Sequence, residues 1–433
     1  MAITEPASYN DMMDYVESRL IPDMNAKKQR GEVFTPLSLI NGMLDNLPNK
    51  VWSNPNLKWL DPANGIGNFP ICVYYRLMEG LKSQIAKAQD RSRHIIENML
   101  YMVELDPTNV AVSKSIFCER DDGVTINGNI SQQDFLEQSL PRGWPGQYDV
   151  IMGNPPYNKG GVGTGNSIWP DFTKKSITLL KNDGYLLFIH PPGWRKPESE
   201  RSRYRGLFQL MAHDNYIRYL EIHDATDGQR IFKAGTRFDI YLLQKTHPVG
   251  DTTVLDLEGN IHNINLLEWE WLPNFDYELI RLLLATGDEE RCPIMYSRGN
   301  YGSDKSWVSK TESSEFKYPL INAINQNEIR YMYSSQKDNG FFDESKIIFG
   351  KSGLNTPIID MKGEYGMTES MMAIELNSIE EGKLIRKAYL SNLFKNIVVA
   401  CQDGNYQNLK DWRLFTYFKK DWYKTILKLE KYL

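Results

Sequence analysis

Short apolar runs alternate with helical patterns through the first 245 residues of the chain. Strands are predicted at residues 58–61, 99–105, 124–128, 150–152 and 185–189. Apolar positions at helical spacing predict helices between them, including 108–117 and 172–180. Later strands are predicted at 217–222, at Phe232 and at 238–243, the last two as a hairpin. This alternation predicts an α/β fold with a doubly wound, mostly parallel sheet, which binds ligands at the carboxyl ends of its strands.

The pattern changes after His247-Pro248-Val249-Gly250, where the chain becomes irregular and rich in tryptophan and tyrosine. Before the alternating region, apolar positions from Met12 to Leu20 have helical spacing and end before a proline. We therefore expect three parts, since a chain of 433 residues usually forms two or three domains. They are a helical extension at 1–30, an α/β domain at 31–248 and a mixed α/β domain at 249–433.

The apolar run at residues 149–153 ends in Asn154-Pro155-Pro156-Tyr157. The two prolines fix φ and remove two backbone donors, which leaves the nearby carbonyls free to accept hydrogen bonds. An amino group on a flat ring could donate to the Asn154 side chain and the Pro155 carbonyl while the ring lies on Tyr157. The same tetrapeptide is typical of a plain strand-end turn, so taken alone it leaves both interpretations open.

Polar and glycine residues follow three of the predicted strands. Gly65 and Gly67 would let the backbone approach a nucleotide-type ligand closely. Glu104 ends the second strand, where a carboxylate can accept from both hydroxyls of a ribose. Asp134 and Phe135 follow the third strand and suit an adenine amino group and ring. Each acid could equally be a helix cap or a solvated charge, and the glycine pair could be purely structural.

Taken in this order, the segments resemble the gamma-class S-adenosylmethionine-dependent N6-adenine DNA methyltransferases over roughly residues 30–245. The matching segments are Gly31–Pro36 and Asp61–Phe69 as cofactor motifs, Glu104 as the ribose acid, Asp134-Phe135 as the adenine contact and Asn154–Tyr157 as the catalytic motif. The resemblance implies a Rossmann-like methyltransferase sheet and S-adenosylmethionine as the cofactor.

The resemblance also implies roles for single residues. The candidate cofactor-binding residues are Thr35, Asp61, Ala63, Gly65, Gly67, Glu104, Asp134, Phe135 and Asn154. The candidate catalytic residues are Asn154, Pro155, Pro156, Tyr157 and Phe232. Tyr157 and Phe232 are the candidates for stacking a flipped-out adenine, although Phe232 could be a core residue. The glycine-rich segment 158–168 is expected to be a flap over the target pocket or an ordinary surface loop.

Double-stranded DNA is the expected partner, with residues 249–433 as the target-recognition domain. RNA or a protein glutamine remains an alternative substrate, because the catalytic motif recognises an amine and not a polymer. A non-catalytic DNA-binding protein that retains the fold is a second alternative. A homodimer and a separate specificity or restriction subunit both remain open.

Composition narrows these possibilities without identifying the substrate. The net charge is −5, so contacts with a polyanion must come from local basic patches. Candidate patches are the cluster Arg195, Lys196, Arg201, Arg203 and Arg205, and the last 51 residues with eleven Lys/Arg and four Asp/Glu. Those last residues could instead form a helix that packs its aromatic side chains inward. Four unpaired cysteines and six histidines predict no metal site, and the lack of a long apolar run predicts a cytoplasmic protein away from the membrane.

Overall fold

The computed structural model describes residues 35–119, 125–159, 166–196, 202–296, 299, 301–302, 304–325, 328–338, 340–402 and 412–432. The expected amino-terminal extension therefore lies outside the described residues, as does the segment Gly31–Phe34. The chain divides into two compact units, Met1–Leu272 and Pro273–Leu433.

A nine-stranded sheet forms the centre of the first unit. Its strands are β1 (Trp59–Asp61), β2 (Leu100–Glu104), β3 (Asn129–Gln132), β4 (Tyr148–Gly153), β5 (Leu180–His190), β6 (Tyr216–His223), β7 (Phe238–Gln244), β8 (Thr252–Leu255) and β9 (Ile261–Ile264). Their order across the sheet is β3-β2-β1-β4-β5-β7-β6-β8-β9. β7 and β9 run antiparallel to the other strands. The predicted α/β fold with a large, mostly parallel sheet is confirmed.

Six α-helices accompany the sheet among the described residues of this unit. They are α1 (Leu37–Leu44), α2 (Asn68–Gly80), α3 (Ala88–His94), α4 (Pro107–Phe117), α5 (Trp169–Leu179) and α6 (Ala225–Phe232). Every residue of β7 is buried, and successive strand residues point to opposite faces of a sheet. Both faces of the sheet are therefore covered at β7, which explains why its sequence is apolar without alternation.

Two predicted strands are corrected by the structure. The third strand is Asn129–Gln132 and not 124–128, of which residue 124 lies outside the described part of the chain. Phe232 ends helix α6 and is not in a strand. The helix forms because the Asp224 carboxylate accepts hydrogen bonds from the N–H groups of Thr226 and Asp227, which caps its first turn. Residues 238–243 therefore do not form the predicted hairpin with Phe232. They lie in β7, which pairs with β5 and β6 and is antiparallel to both.

The sheet continues beyond residue 248, where the sequence pattern places a domain boundary. β8 pairs in parallel with β6, with Leu220 opposite Val254, and β9 then pairs with β8 as a hairpin. The compact unit ends at Leu272. Residues 249–272 thus belong structurally to the unit that contains the large sheet.

The described residues of the second unit form two four-stranded sheets and four α-helices, which agrees with the predicted mixed α/β character. Its strands are β10 (Ile294–Met295), β11 (Val308–Ser309), β12 (Tyr318–Ile324), β13 (Ile329–Ser334), β14 (Lys346–Gly350), β15 (Ile358–Asp360), β16 (Gly366–Met367) and β17 (Met371–Glu375). Their orders are β10-β17-β14-β15 and β11-β13-β12-β16. The helices are α7 (Tyr277–Leu283), α8 (Ile379–Tyr389), α9 (Asn392–Ala400) and α10 (Trp422–Leu429).

Aromatic side chains near the carboxyl end of the chain pack inward. Phe394, Phe415 and Trp422 are at most 1% exposed, and their rings lie 4.9–5.8 Å apart. Lys419 and Lys420 pair with Glu289 and Glu290 at 3.2 and 2.9 Å. The structure therefore favours the inward-packing interpretation of this segment over a free row of phosphate-binding lysines. Within the described residues, no helix has the length and apolar character needed to cross a membrane.

Candidate active site

A cavity of about 970 Å³ opens at the carboxyl ends of β1, β2 and β4 in the first unit. β1 lies between β2 and β4. The chain first adds β2 and β3 on one side of β1 and then adds β4 and β5 on the other side. Such a reversal of strand order leaves a crevice in which α/β proteins bind ligands. The predicted site residues that line the cavity are Thr35, Ala63, Gly65, Glu104, Asp134, Phe135, Asn154, Pro155, Pro156 and Tyr157.

The glycine turn after β1 is shaped by two left-handed residues. Gly65 has φ +56° and faces the cavity, whereas Gly67 has φ +103° and caps the start of α2. A Cβ at Gly67 would lie 3.0 Å from the Phe117 ring. The backbone at Gly65 thus lies where a ligand could approach it, while the absence of a side chain at Gly67 allows α2 to pack against α4.

Glu104 is held rigidly at the end of β2. Its Oε2 accepts from the Gly65 N–H at 2.7 Å, and its Oε1 accepts from the Asp106 N–H at 2.8 Å. Asp106 in turn caps α4 by accepting from the N–H of Thr108 at 2.7 Å. A carboxylate at the end of the second strand is the group that binds ribose hydroxyls in related dinucleotide folds. This geometry suits the role implied by the sequence.

Asp61, at the end of β1, is 1% exposed. Its Oδ1 accepts from the Ala63 N–H at 3.0 Å. Burial raises the pKa of the Asp61 carboxyl to about 8, and the nearby Glu104 carboxylate contributes further to the rise. At neutral pH this carboxyl is therefore largely protonated in the folded protein.

Replacing Asp61 with asparagine is expected to stabilise the protein increasingly as the pH rises. The pKa of Asp61 is about 8 in the folded protein and has the ordinary value of 3.8 in the unfolded chain. Between these two pH values the folded protein keeps the Asp61 proton, whereas the unfolded chain has lost it. The stability that Asp61 contributes is thus present below about pH 4 and is lost as the pH rises through about 8. Urea unfolding of both proteins should give a difference in unfolding free energy that grows between about pH 5 and 8. An exposed Asp90→Asn variant is the control, and a difference independent of pH would contradict the buried-acid interpretation.

The catalytic motif begins directly after Gly153, at the end of β4. Gly153 has φ +155°, and a Cβ there would lie 3.0 Å from the Asp61 carboxylate oxygen. Asn154 donates from Nδ2 to the Thr35 hydroxyl at 3.1 Å. Its Oδ1 is buried and has no hydrogen-bond partner among the described residues. The Thr35 contact thus orients the Asn154 amide with its acceptor oxygen available.

Tyr157 completes the motif with a buried hydroxyl that also has no hydrogen-bond partner in the described part of the chain. Burial raises the pKa of Tyr157 above its ordinary range, and the charge of Asp239 adds to this effect. The phenol therefore stays neutral, and its ring borders the same cavity as the Asn154 amide. A buried acceptor and a buried hydroxyl that lack hydrogen-bond partners destabilise a folded protein unless a ligand supplies those partners.

Thr35 lies directly before α1 and links two parts of the site. Pro36 occupies the capping position of α1 and makes no side-chain capping bond. The Thr35 hydroxyl instead accepts from Asn154, and its carbonyl accepts from Asn68 at 3.0 Å. The amino-terminal cofactor motif is thereby tied to both the catalytic motif and the glycine turn.

The two ends of the segment that follows the motif are joined by backbone hydrogen bonds. Asn158 and Ser167 form an antiparallel bridge, and the Lys159 N–H donates to the Asn166 carbonyl at 2.9 Å. The Ile168 N–H donates to the Tyr157 carbonyl, also at 2.9 Å. Residues 160–165, where most of the predicted flap lies, are outside the described residues.

Phe232 does not line the cavity. It is 7% exposed and packs edge-to-face against Phe238, with ring centres 5.1 Å apart. This placement corresponds to the core alternative for Phe232 and gives no support to its stacking role.

The basic cluster at 195–205 does not act as one surface. Arg195 is 4% exposed and forms a two-pronged ion pair with the fully buried Asp239, at 2.7 and 3.0 Å. Arg203 lies at the cavity and is 3.7 Å from Asp171, whereas Arg205 is exposed. Arg201 is outside the described residues. The proposed phosphate-binding role of Arg195 is therefore wrong, because its charge is neutralised inside the protein.

Helix α5 supplies cavity residues that the sequence does not single out. Phe172 and Lys175 line the wall beside Asp134 and Phe135. Leu105 also lines the cavity and is 63% exposed. A lysine or a phenylalanine in a helix is ordinarily a solvated or core residue, so only the distances reveal these positions. An apolar residue directly after the ribose acid is the one signal that could have suggested Leu105.

Comparison with known proteins finds a family model that matches part of the chain and solved structures that share its fold. Residues 87–232 match the model of the Eco57I restriction-modification methylase family. A relative described as an uncharacterized adenine-specific methylase of Mycoplasma pneumoniae is 27% identical, over 38% of this chain and 55% of the relative. The chain thus spans about half the length of that curated relative.

Two solved structures resemble nearly the whole chain. The Type IIL restriction-modification enzyme MmeI has a TM-score of 0.51 at 12% identity, covering 96% of this chain and 70% of MmeI. The Type ISP enzyme LlaBIII has a TM-score of 0.51 at 12% identity, covering 98% of this chain and 41% of LlaBIII. At this identity the likeness shows a shared fold.

The cofactor predicted from the sequence, S-adenosylmethionine, is confirmed by the methylase match. The cavity also fits it. Gly65 permits close approach, Glu104 offers two acceptor oxygens to a ribose, and Asp134 with Phe135 offers an acceptor and a ring to an adenine.

Proposed function

We propose that the chain methylates the N6 amino group of adenine in DNA, because residues 87–232 match the model of the Eco57I restriction-modification methylase family. The observation that carries this proposal is the Asn154 amide oxygen, which is buried, without a partner among the described residues and next to the cofactor cavity. An aromatic amine supplies the donor that this oxygen lacks. Tyr157 supplies a ring on which the base can lie.

Catalysis in this site rests on orientation and on hydrogen-bond acceptors. The Thr35 hydroxyl holds the Asn154 amide so that Oδ1 accepts from the amine. The Pro155 carbonyl can accept the second amine hydrogen, and both acceptors stabilise the positive charge that develops on the nitrogen as it attacks. The cofactor supplies a sulfonium-activated methyl group. Neutral Tyr157 presents an aromatic face to the base and no charge that would compete with the attack.

The site does not require a nucleophilic cysteine. The Cys72 thiol is buried, and burial raises its pKa to about 12, so it is protonated at neutral pH. The described residues that line the cavity include no cysteine. With the cofactor bound, the amine nitrogen would therefore attack the methyl carbon directly as the carbon–sulfur bond breaks, and the surplus proton of the amine would be lost afterwards.

DNA is favoured over RNA or a protein glutamine by the relatives. The mycoplasma relative is described as adenine-specific. MmeI and LlaBIII were both determined bound to DNA. Their likeness extends over 96% and 98% of this chain and so includes the second unit. On this basis we assign target recognition to the second unit and base flipping to the first.

The direct test is to incubate the full chain with S-adenosylmethionine and genomic DNA that lacks methylated bases. Mass spectrometry of the digested DNA should show N6-methyladenine, and sequencing of modified positions should show one recurring motif. Parallel reactions contain RNA or a glutamine-containing protein extract. Methylation in either of those reactions with none in DNA would reject the proposal, as would binding of cofactor with no transfer to any of the three.

A further inference from the structure

The segment after β3 forms one helical turn beside the cavity. The Gln138 N–H donates to the Asp134 carbonyl at 3.0 Å, which closes the turn. At the start of the turn, Asp134 Oδ1 accepts from the N–H groups of Leu136 at 2.8 Å and Glu137 at 3.3 Å. A helical turn exposes N–H groups at its start and carbonyls at its end. The Asp134 carboxylate satisfies the first set.

Lys175 on α5 satisfies the second set. Its ammonium donates to the carbonyls of Phe135, of Gln138 at 3.0 Å and of Leu136 at 3.5 Å. The same ammonium lies 4.8 Å from the centre of the Phe135 ring. A carboxylate at the amide end and a cation at the carbonyl end both oppose the dipole of the turn. The turn is thus fixed at both ends by charged side chains.

Phe172 adds a contact from the same helix. Its ring stacks on Phe135 with centres 5.3 Å apart and an angle of 25° between the planes. Residues three apart share one face of a helix, so Phe172 and Lys175 approach the turn together. One face of α5 therefore holds both the ring and the backbone of this turn.

We propose that Lys175 is a positioning residue that holds the 134–138 turn in the conformation that receives the adenine ring of the cofactor. This inference rests on the proposed function for the identity of the ligand. Both described capping bonds of Asp134 use Oδ1, so the other carboxylate oxygen can accept from the adenine amino group. Without the ammonium, three carbonyls lose their common donor. Cofactor binding must then include the free-energy cost of ordering the turn.

The test is calorimetric titration of S-adenosylhomocysteine into the full chain, for wild type and Lys175→Met. We expect Kd to rise about tenfold in the variant, because hydrogen bonds from a charged donor are lost. In methylation assays, KM for S-adenosylmethionine should rise by a similar factor. The value of kcat should stay within about twofold, since a positioning residue acts on ground-state binding and Asn154 and Tyr157 are untouched.

Two further variants separate positioning from general stability. Lys175→Arg can donate to several carbonyls and should keep Kd within about threefold of wild type. Lys114→Met removes an exposed lysine of α4 and should leave Kd unchanged. If circular dichroism shows that Lys175→Met does not fold, Lys175→Gln carries the same titration. A wild-type Kd in the Met or Gln variant, or a fall in kcat without a rise in KM, overturns the inference.

Failure of this inference and failure of the proposed function give different results. Wild-type protein that binds S-adenosylhomocysteine but methylates no DNA contradicts the proposed substrate, and the Lys175 titration still reports on positioning. Wild-type protein that methylates DNA with an unaltered Kd in Lys175→Met contradicts the positioning role alone.

Discussion

Replacing Asn154 with alanine is expected to lower kcat for adenine methylation by about 100-fold or more, the size of effect seen when one preorganised transition-state hydrogen bond is removed. In the proposed reaction the Asn154 amide, oriented by the contact of its Nδ2 with Thr35, accepts through its oxygen from the amine as positive charge develops on the nitrogen. The alanine variant retains the fold, because the Asn154 side chain makes one described hydrogen bond and its oxygen has none. Radiolabelled methyl transfer under single-turnover conditions measures the chemical step directly.

Two comparisons make this prediction sharp. Affinity for S-adenosylhomocysteine should change by no more than a few-fold, because Glu104 and the glycine turn remain intact. The control is Asn127→Ala, at an exposed position of the same unit, which should retain wild-type kcat. If Asn154→Ala transfers methyl groups at the wild-type rate, the tetrapeptide is a structural turn and the non-catalytic alternative gains support.

Replacing Arg195 with methionine is expected to lower the free energy of unfolding by about 3–5 kcal/mol, the usual cost of removing one partner of a buried ion pair. Asp239 is fully buried, and besides Arg195 it accepts from the Trp194 indole N–H at 2.9 Å. The variant leaves a buried carboxylate with its main counter-charge missing. Urea unfolding followed by tryptophan fluorescence should show an earlier midpoint.

The controls distinguish this structural role from phosphate binding. Arg205→Met changes an exposed arginine and should leave the unfolding midpoint unchanged. The double variant Arg195→Met, Asp239→Leu should recover much of the lost stability, since it removes both buried charges. An unchanged midpoint in Arg195→Met, together with weaker and less salt-dependent DNA binding, would restore the surface role suggested by the sequence.

Much of the fold could be predicted because strand and helix patterns differ in period. The runs at 150–152 and 185–189 lie within β4 and β5, and the helix at 172–180 corresponds to α5. Phe232 is wrongly predicted to lie in a strand, because a single aromatic residue shows no period by which a strand and a helix could be distinguished. The deciding signal was Asp224, whose capping bonds start α6 eight residues earlier.

The order of the polar residues along the chain is enough to predict that they form a single site. Glu104 ends β2, whereas Asp134 and Asn154 follow β3 and β4, and the carboxyl ends of parallel strands meet at one edge of a sheet. Their order along the chain therefore predicted one site. No packing detail was needed for that step.

Only the tertiary structure decided which charged side chains face a ligand and which face the protein. Arg195 and Lys175 are both basic residues near the motif, yet one is neutralised by Asp239 and the other holds three carbonyls of the turn beside Asp134. Their partners lie 44 and about 40 residues away along the chain. The environment of each charged side chain is set by partners that are distant in sequence. These partners come into contact only when the strands and helices pack together.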